Sequence, residues 1–147
     1  MTDAPHGCNL RRGRVSLPGQ VYFVTMVCKD RRSHFAGFAA ARCAVSALHG
    51  DAVAVLADTL AFVVMPDHVH WLMLLKEGAG LGETVWRFKV KVSLAIGGRI
   101  WQRGFHDHAL RRDEDVVTVA RYVVANPMRA GLVRKVGDYP HWDAVWV

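Results

Sequence analysis

Between residues 21 and 28 the chain reads VYFVTMVC, placing Tyr22, Val24 and Met26 on one side of an extended backbone and Val21, Phe23, Thr25 and Val27 on the other. This pattern predicts a strand covered on both faces, or nearly so. From 37 to 49 the period changes: Phe38, Ala41, Val45 and Leu48 recur at helical spacing, which predicts a helix packed on the sheet. Residues 52–56 fit either the start of another strand or the end of a loop. Two apolar runs, 59–65 and 68–75, are then joined by Pro66-Asp67; proline presets the first turn dihedral and aspartate can bond the backbone beyond it, so a central β-hairpin is expected. After glycines at 78, 80 and 82, the stripe Leu81, Val85, Phe88, Val92 and Ile96 predicts an amphipathic helix that Gly97 and Gly98 close. Alternation from Phe105 predicts a fourth strand. Asp113 then heads a helix with Val116, Val119, Ala120, Val123 and Val124 buried, which Pro127 must bend or stop. Strand, helix, hairpin, helix, strand, helix is the order of an α+β protein: a ferredoxin-like antiparallel sheet flanked by helices.

At 147 residues and 52% hydrophobic, the chain is expected to form one domain, residues 1–147, with a real core. Residues 1–19, punctuated by glycine and proline and carrying Arg11, Arg12 and Arg14, suggest a basic N-terminal arm that orders on docking, or a frayed terminus. A formal net charge of +6 favours a polyanionic partner such as nucleic acid, although charge also serves solubility. Cys8, Cys28 and Cys43 are odd in number and form no Cys-x-x-Cys pair, which argues against a disulfide framework or a zinc ribbon and for a reduced cytosolic setting. No run has the length of a signal peptide's apolar core or of a membrane span, so a cytoplasmic protein without a membrane partner is expected.

The chemistry begins at the hairpin. Residues two apart on a strand project from one face, so His68 and His70 point the same way and can share a metal ion; a half-buried pair with its ring nitrogens satisfied by backbone is the plainer alternative. His106 and His108 repeat the spacing, and spacing alone leaves the choice between the pairs open. Tyr122 and Asn126, four apart and separated by roughly 40° around a helix axis, put a phenol and an amide oxygen on one edge; a helix-edge tyrosine and a helix-end cap are the plainer alternatives. Arg87, Lys89 and Lys91 lie off the apolar stripe of their helix and form either a solvated face or a phosphate-binding one.

Taken together, RRGRVSLPGQVYFVT, DRR with the following Phe35, VVMPDHVHWL, RFKVKVS, IWQRGFHDHALRRDED, ARYVVANPMRAGLV and DYPHWDAVW resemble, in order and over nearly the whole chain, the single-tyrosine HUH transposases, and most closely the REP-associated tyrosine transposases. The resemblance implies the HUH endonuclease fold, His68 and His70 as metal ligands with Asn126 completing the site, Tyr122 as nucleophile, and Mg²⁺ or Mn²⁺ as cofactor. It decides between the histidine pairs in favour of the first. It also implies a single-stranded, hairpin-forming DNA partner of the REP-palindrome kind, cleaved and rejoined through a 5′-phosphotyrosine in the nucleoid-bearing cytoplasm. Arg11, Arg12, Arg14, Arg87, Lys89, Lys91, Arg103, Arg111 and Arg112 are the candidate phosphate contacts, which would make binding fall steeply with salt. A homodimer and a monomer are both compatible with the sequence. Two other functions are compatible as well: a non-catalytic nucleic-acid-binding protein of the same fold, and a replication-initiator-like nickase.

Overall fold

The computed structural model describes residues 19–111 and 114–146. A five-stranded antiparallel sheet runs through the molecule in the order β4-β1-β3-β2-β5. Its strands are β1 (Val21–Val27), β2 (Ala57–Met65), β3 (His68–Leu75), β4 (His106–Ala109) and β5 (Trp142–Ala144). The first four have the ferredoxin-like order that the element sequence predicts; β5 is an addition that alternation over three residues is too short to announce. The hairpin closes with Met65 opposite His68 across the two-residue Pro66-Asp67 turn, and β3 becomes the central strand.

Antiparallel pairing puts directly opposed residues on the same face, so the register divides the sheet into two cores. Tyr22, Val24, Met26, Phe62, Val64, Val69, Trp71, Met73 and Leu75 face one way and are buried. They are covered by α1 (Phe38–His49), α2 (Asp51–Ala54) and α3 (Leu81–Ile96), through Ala41, Ala44, Val45, Leu48, Val53, Val85, Phe88 and Val92. Trp71 is fully buried and its indole N–H donates to Thr59 Oγ1 at 2.9 Å, so the largest core side chain leaves no polar atom unpaired. The opposite face carries Ala61, Val63, Met65 and Leu72, and α4 (Val116–Val124) covers it with Ala120 and Val123.

Several boundaries depart from the sequence expectation for local reasons. Residues 51–54 form the short helix α2, neither strand nor loop, because Gly50 ends α1 in an extended conformation and its carbonyl accepts from Ala54 N–H at 3.0 Å. The helix cap lies at Asp115: its carboxylate accepts from Val117 N–H at 3.0 Å and Thr118 Oγ1 at 2.8 Å, satisfying donors that the first turn leaves open. Asp113, expected to head that helix, lies outside the described residues, as do Arg112 and the basic arm with Arg11, Arg12 and Arg14. α3 stops at Gly97, whose φ of 95° lets its N–H turn back to Ser93 O at 2.8 Å. Among the described residues no helix is long and apolar enough to cross a membrane.

Candidate metal and nucleophile site

Val63, His70, Thr25 and His106 form one row across β2, β3, β1 and β4, and Met65, His68 and Val27 form the next. Both rows lie on the face that α4 partly covers. The imidazoles of His68 and His70 are 4.7 Å apart between ring centres and nearly perpendicular. Each is held at Nδ1: His68 bonds Asp67 Oδ1 at 2.7 Å, and His70 bonds Thr25 Oγ1 at 2.8 Å. Neither Nε2 has a hydrogen-bond partner among the described residues. An imidazole whose Nδ1–H is given to an oxygen presents its Nε2 lone pair, the arrangement found behind metal-bound histidines. The residues therefore fit a metal ion with two nitrogen donors.

The turn before His68 adds a second layer. Arg31 Nε lies 3.2 Å from Asp67 Oδ2, while the other carboxylate oxygen holds His68, giving a chain Arg31–Asp67–His68. Asp30 and Arg31 both adopt left-handed backbone, at φ 56° and 55°, which for an arginine costs about 1 kcal/mol or more. The loop is fixed around them: Cys28 N–H donates to Asp67 O and Phe35 N–H to Pro66 O, both at 2.9 Å. His70 is pushed down to about 3, first by burial and then by the charges of His68, Arg129 and Arg31. It is a neutral ligand-type imidazole at any pH near neutrality.

Asn126 stands at the start of α5 (Asn126–Arg129), immediately after α4, with Pro127 in the first turn where its missing N–H does no harm. Its amide nitrogen donates to Val123 O at 3.2 Å, which leaves the side-chain carbonyl oxygen as an acceptor. Tyr122 is 55% exposed. The Arg129 guanidinium lies 3.8 Å from the centre of the Tyr122 ring, and its Nη1 donates to Tyr122 O at 2.9 Å. The structure thus pairs His68 with His70 on β3, and Tyr122 with Asn126 and Arg129 where α4 meets α5, the helix α4 lying over the same face of the sheet. Among the described residues no cluster of three or more His, Cys, Asp or Glu side chains is placed to hold an ion.

The second histidine pair shares this face but is otherwise engaged. His108 Nε2 bonds both oxygens of Glu114, at 2.9 and 3.0 Å, and Glu114 also takes Arg111 N–H at 2.7 Å. Those contacts, with Arg111 N–H the larger cause, hold the Glu114 carboxyl below its usual range. They tie the end of β4 to the loop that launches α4.

The candidate phosphate contacts are scattered. Arg87, Lys89 and Lys91 ride on α3, which covers the face opposite the imidazoles. Arg87 pairs with Glu83 at 3.0 Å, and Lys89 donates to the carbonyls of Gln102 and Gly104 while lying over Trp101; Lys91 is exposed. Arg103 is exposed in the segment between the Trp101–Cys28 bridge and His106, at the same end of the sheet as His68. Arg111 is exposed at the opposite end of β4. Residue patterns alone missed Arg31, Asp67 and Arg129. Asp67 adjoins His68 and Arg129 falls seven after Tyr122, two near-complete helical turns, and these were the signals available.

A five-stranded antiparallel sheet in this order, with two histidines on its central strand and a tyrosine on the helix over the same face, defines an α+β protein with a candidate metal and nucleophile site. A REP-associated tyrosine transposase of Escherichia coli (strain K12) is 37% identical over 82 residues, which are 54% of this chain and 50% of that protein. A putative REP-associated tyrosine transposase of Haemophilus influenzae is 29% identical over 100 residues, 57% of each. The chain thus spans about half the length of the curated relatives it matches. No protein-family model matches the chain. Among solved structures, a REP-associated tyrosine transposase bound to a REP hairpin superposes with a TM-score of 0.70 at 26% identity, over 88% of this chain and 79% of that one. A putative transposase from Deinococcus radiodurans shares the fold, with a TM-score of 0.53 at 15% identity over 76% and 94%. The chain is similar in sequence and in fold to REP-associated tyrosine transposases, the resemblance its motifs suggest.

Proposed function

We propose that this protein is a metal-dependent single-strand DNA endonuclease and strand transferase that cleaves and rejoins hairpin-forming repetitive DNA of the REP kind. The observation that supports it most is the pair of imidazoles, each committed at Nδ1 and uncommitted at Nε2, on the sheet face over which the Tyr122 helix lies. His68, His70 and the Asn126 amide oxygen would hold Mg²⁺ or Mn²⁺, which when bound withdraws charge from the scissile phosphate and orients it. Tyr122 Oη attacks phosphorus as its proton passes to water. The bond from phosphorus to the 3′ oxygen breaks, and that oxygen leaves as a 3′-hydroxyl after taking a proton. The product is a 5′-phosphotyrosine that conserves the bond, so attack by another 3′-hydroxyl rejoins strands without a nucleotide cofactor. Of the candidate phosphate contacts, Arg103 shares the imidazoles' end of the sheet and would lie beside the strand being cut; the α3 cations would serve DNA that wraps to the other face.

Incubating the protein with a radiolabelled REP-type hairpin and Mn²⁺ should give a covalent protein–DNA band that Tyr122→Phe abolishes. An adduct that persists in Tyr122→Phe removes the tyrosine from its role. Salt-sensitive hairpin binding by the wild type with no adduct at any Mn²⁺ concentration overturns the reading in favour of a non-catalytic DNA-binding protein.

A further inference from the structure

We propose that Arg129 is the positioning residue for the nucleophile, a clamp that fixes the Tyr122 ring relative to the imidazole pair. The inference rests on the function proposed above and extends it to a residue outside the ligand and nucleophile set. α4 ends at Val124 and α5 begins at Asn126, so the chain is kinked between the tyrosine and any backbone that could brace it. Tyr122 itself is more than half exposed and is absent from the cluster of apolar side chains that seats α4 on the sheet. A phenol in that setting would rotate among several rotamers. The Arg129 guanidinium closes over the ring at 3.8 Å, and its N–H to Tyr122 O fixes the same arginine to the tyrosine's own backbone. Two contacts of different kind, one to the ring and one to the main chain, restrict both the rotamer and the kink.

The planar guanidinium is what makes this work. It can stack on the ring while its edge donates to a carbonyl, and a lysine ammonium cannot do both.

The test uses the full chain in two arms. In the first, ¹³C-labelled tyrosine spectra of the protein without DNA or metal resolve three tyrosines. In Arg129→Ala and Arg129→Lys the Tyr122 ring resonances should move toward the averaged values of a free side chain, while Tyr22 and Tyr139 stay put. In the second, single-turnover adduct formation at saturating hairpin DNA and Mn²⁺ should fall about 10- to 100-fold in Arg129→Ala and nearly as far in Arg129→Lys, with hairpin Kd within about threefold of wild type. Unchanged Tyr122 resonances, or a lost affinity with an unchanged rate at saturation, overturns the clamp and leaves the proposed function standing. Absence of adduct in the wild type overturns both.

Discussion

Asp67→Asn changes a single atom type behind His68 and separates a charge-assisted support from a merely steric one. The carboxylate takes the His68 imidazole at 2.7 Å on one oxygen and Arg31 at 3.2 Å on the other, with only a quarter of its side chain exposed. An asparagine oxygen can still accept from Nδ1–H, so ring orientation survives, but a charge-assisted hydrogen bond worth about 1.5–3 kcal/mol becomes a neutral one worth about 0.5–1.5 kcal/mol. The difference, about 1–1.5 kcal/mol, makes His68 a poorer donor and should weaken Mn²⁺ binding by roughly 10-fold. Asp67→Ala removes the acceptor altogether and belongs at the upper end of the usual 10- to 100-fold range, ~100-fold. Arg31→Ala should cost only about threefold, because its side chain is 63% exposed and solvent screens the pair. Mn²⁺ electron paramagnetic resonance reads free ion directly and needs no DNA, and thermal midpoints within a degree or two of wild type exclude unfolding as the cause. If His70→Ala abolishes Mn²⁺ binding while Asp67→Asn and Asp67→Ala bind as wild type does, the Arg31–Asp67–His68 chain has no part in the site.

Acid should destabilise the metal-free protein through His70. Its folded value near 3 lies below the ordinary 6.5, so the unfolded chain binds the proton first; its contribution is intact above about pH 6.5 and is lost as pH falls toward 3, by up to about 1.4 kcal/mol per pH unit. Urea midpoints measured from pH 7 to pH 4 should therefore fall less steeply in His70→Gln than in wild type, and equal slopes would remove His70 as the cause. Trp71→Ala empties the centre of the larger core and strands Thr59 Oγ1, which should cost about 3–5 kcal/mol and lower the thermal midpoint by about 10 °C. A drop of only a degree or two in scanning calorimetry would contradict the packing described.

How much of this was readable before the structure depends on how local each feature is. β1, the hairpin and α3 announce themselves because period two and period 3.6 are each sustained over seven residues or more in the sequence, and the register follows from the Pro66-Asp67 turn. β5 could not be read, since its three residues pair with β2 only because the chain after α5 returns beside that strand. α2 escaped for a similar reason: a four-residue helix depends on the Gly50 carbonyl for its first hydrogen bond, with too few residues to show a stripe. His68 with His70 and Tyr122 with Asn126 were visible as pairs, because strand and helix geometry bring residues two and four apart together. Arg129 was not, because its approach to Tyr122 crosses the break between two helices. The α3 cations read as a basic helix face but sit across the sheet from the imidazoles, a relation set by the sheet's two-sidedness and not by any local pattern.

The same two-sidedness explains why this chain carries two His-x-His strands on one face. β1 separates them, with Thr25 between His70 and His106 in the row. The first pair turns its Nδ1 atoms to Asp67 and Thr25 and keeps its Nε2 atoms; in the second, His108 commits Nε2 to Glu114, the last residue but one before α4. Tyr122 stands six residues into that helix, about 9 Å along its axis from Val116 at 1.5 Å per residue. A tilt of about 6° at the anchored end would carry the proposed nucleophile about 1 Å, and errors of that size can cost ~100-fold in a reaction that depends on in-line approach. Ala120 and Val123 seat the helix on the sheet with Val116, Val119 and Val124 packed around them, and the His108–Glu114 bond fixes the loop from which it starts. The second histidine pair is thus best understood through the first: one strand presents the proposed donors, and the strand beyond it fixes the origin of the helix that carries Tyr122.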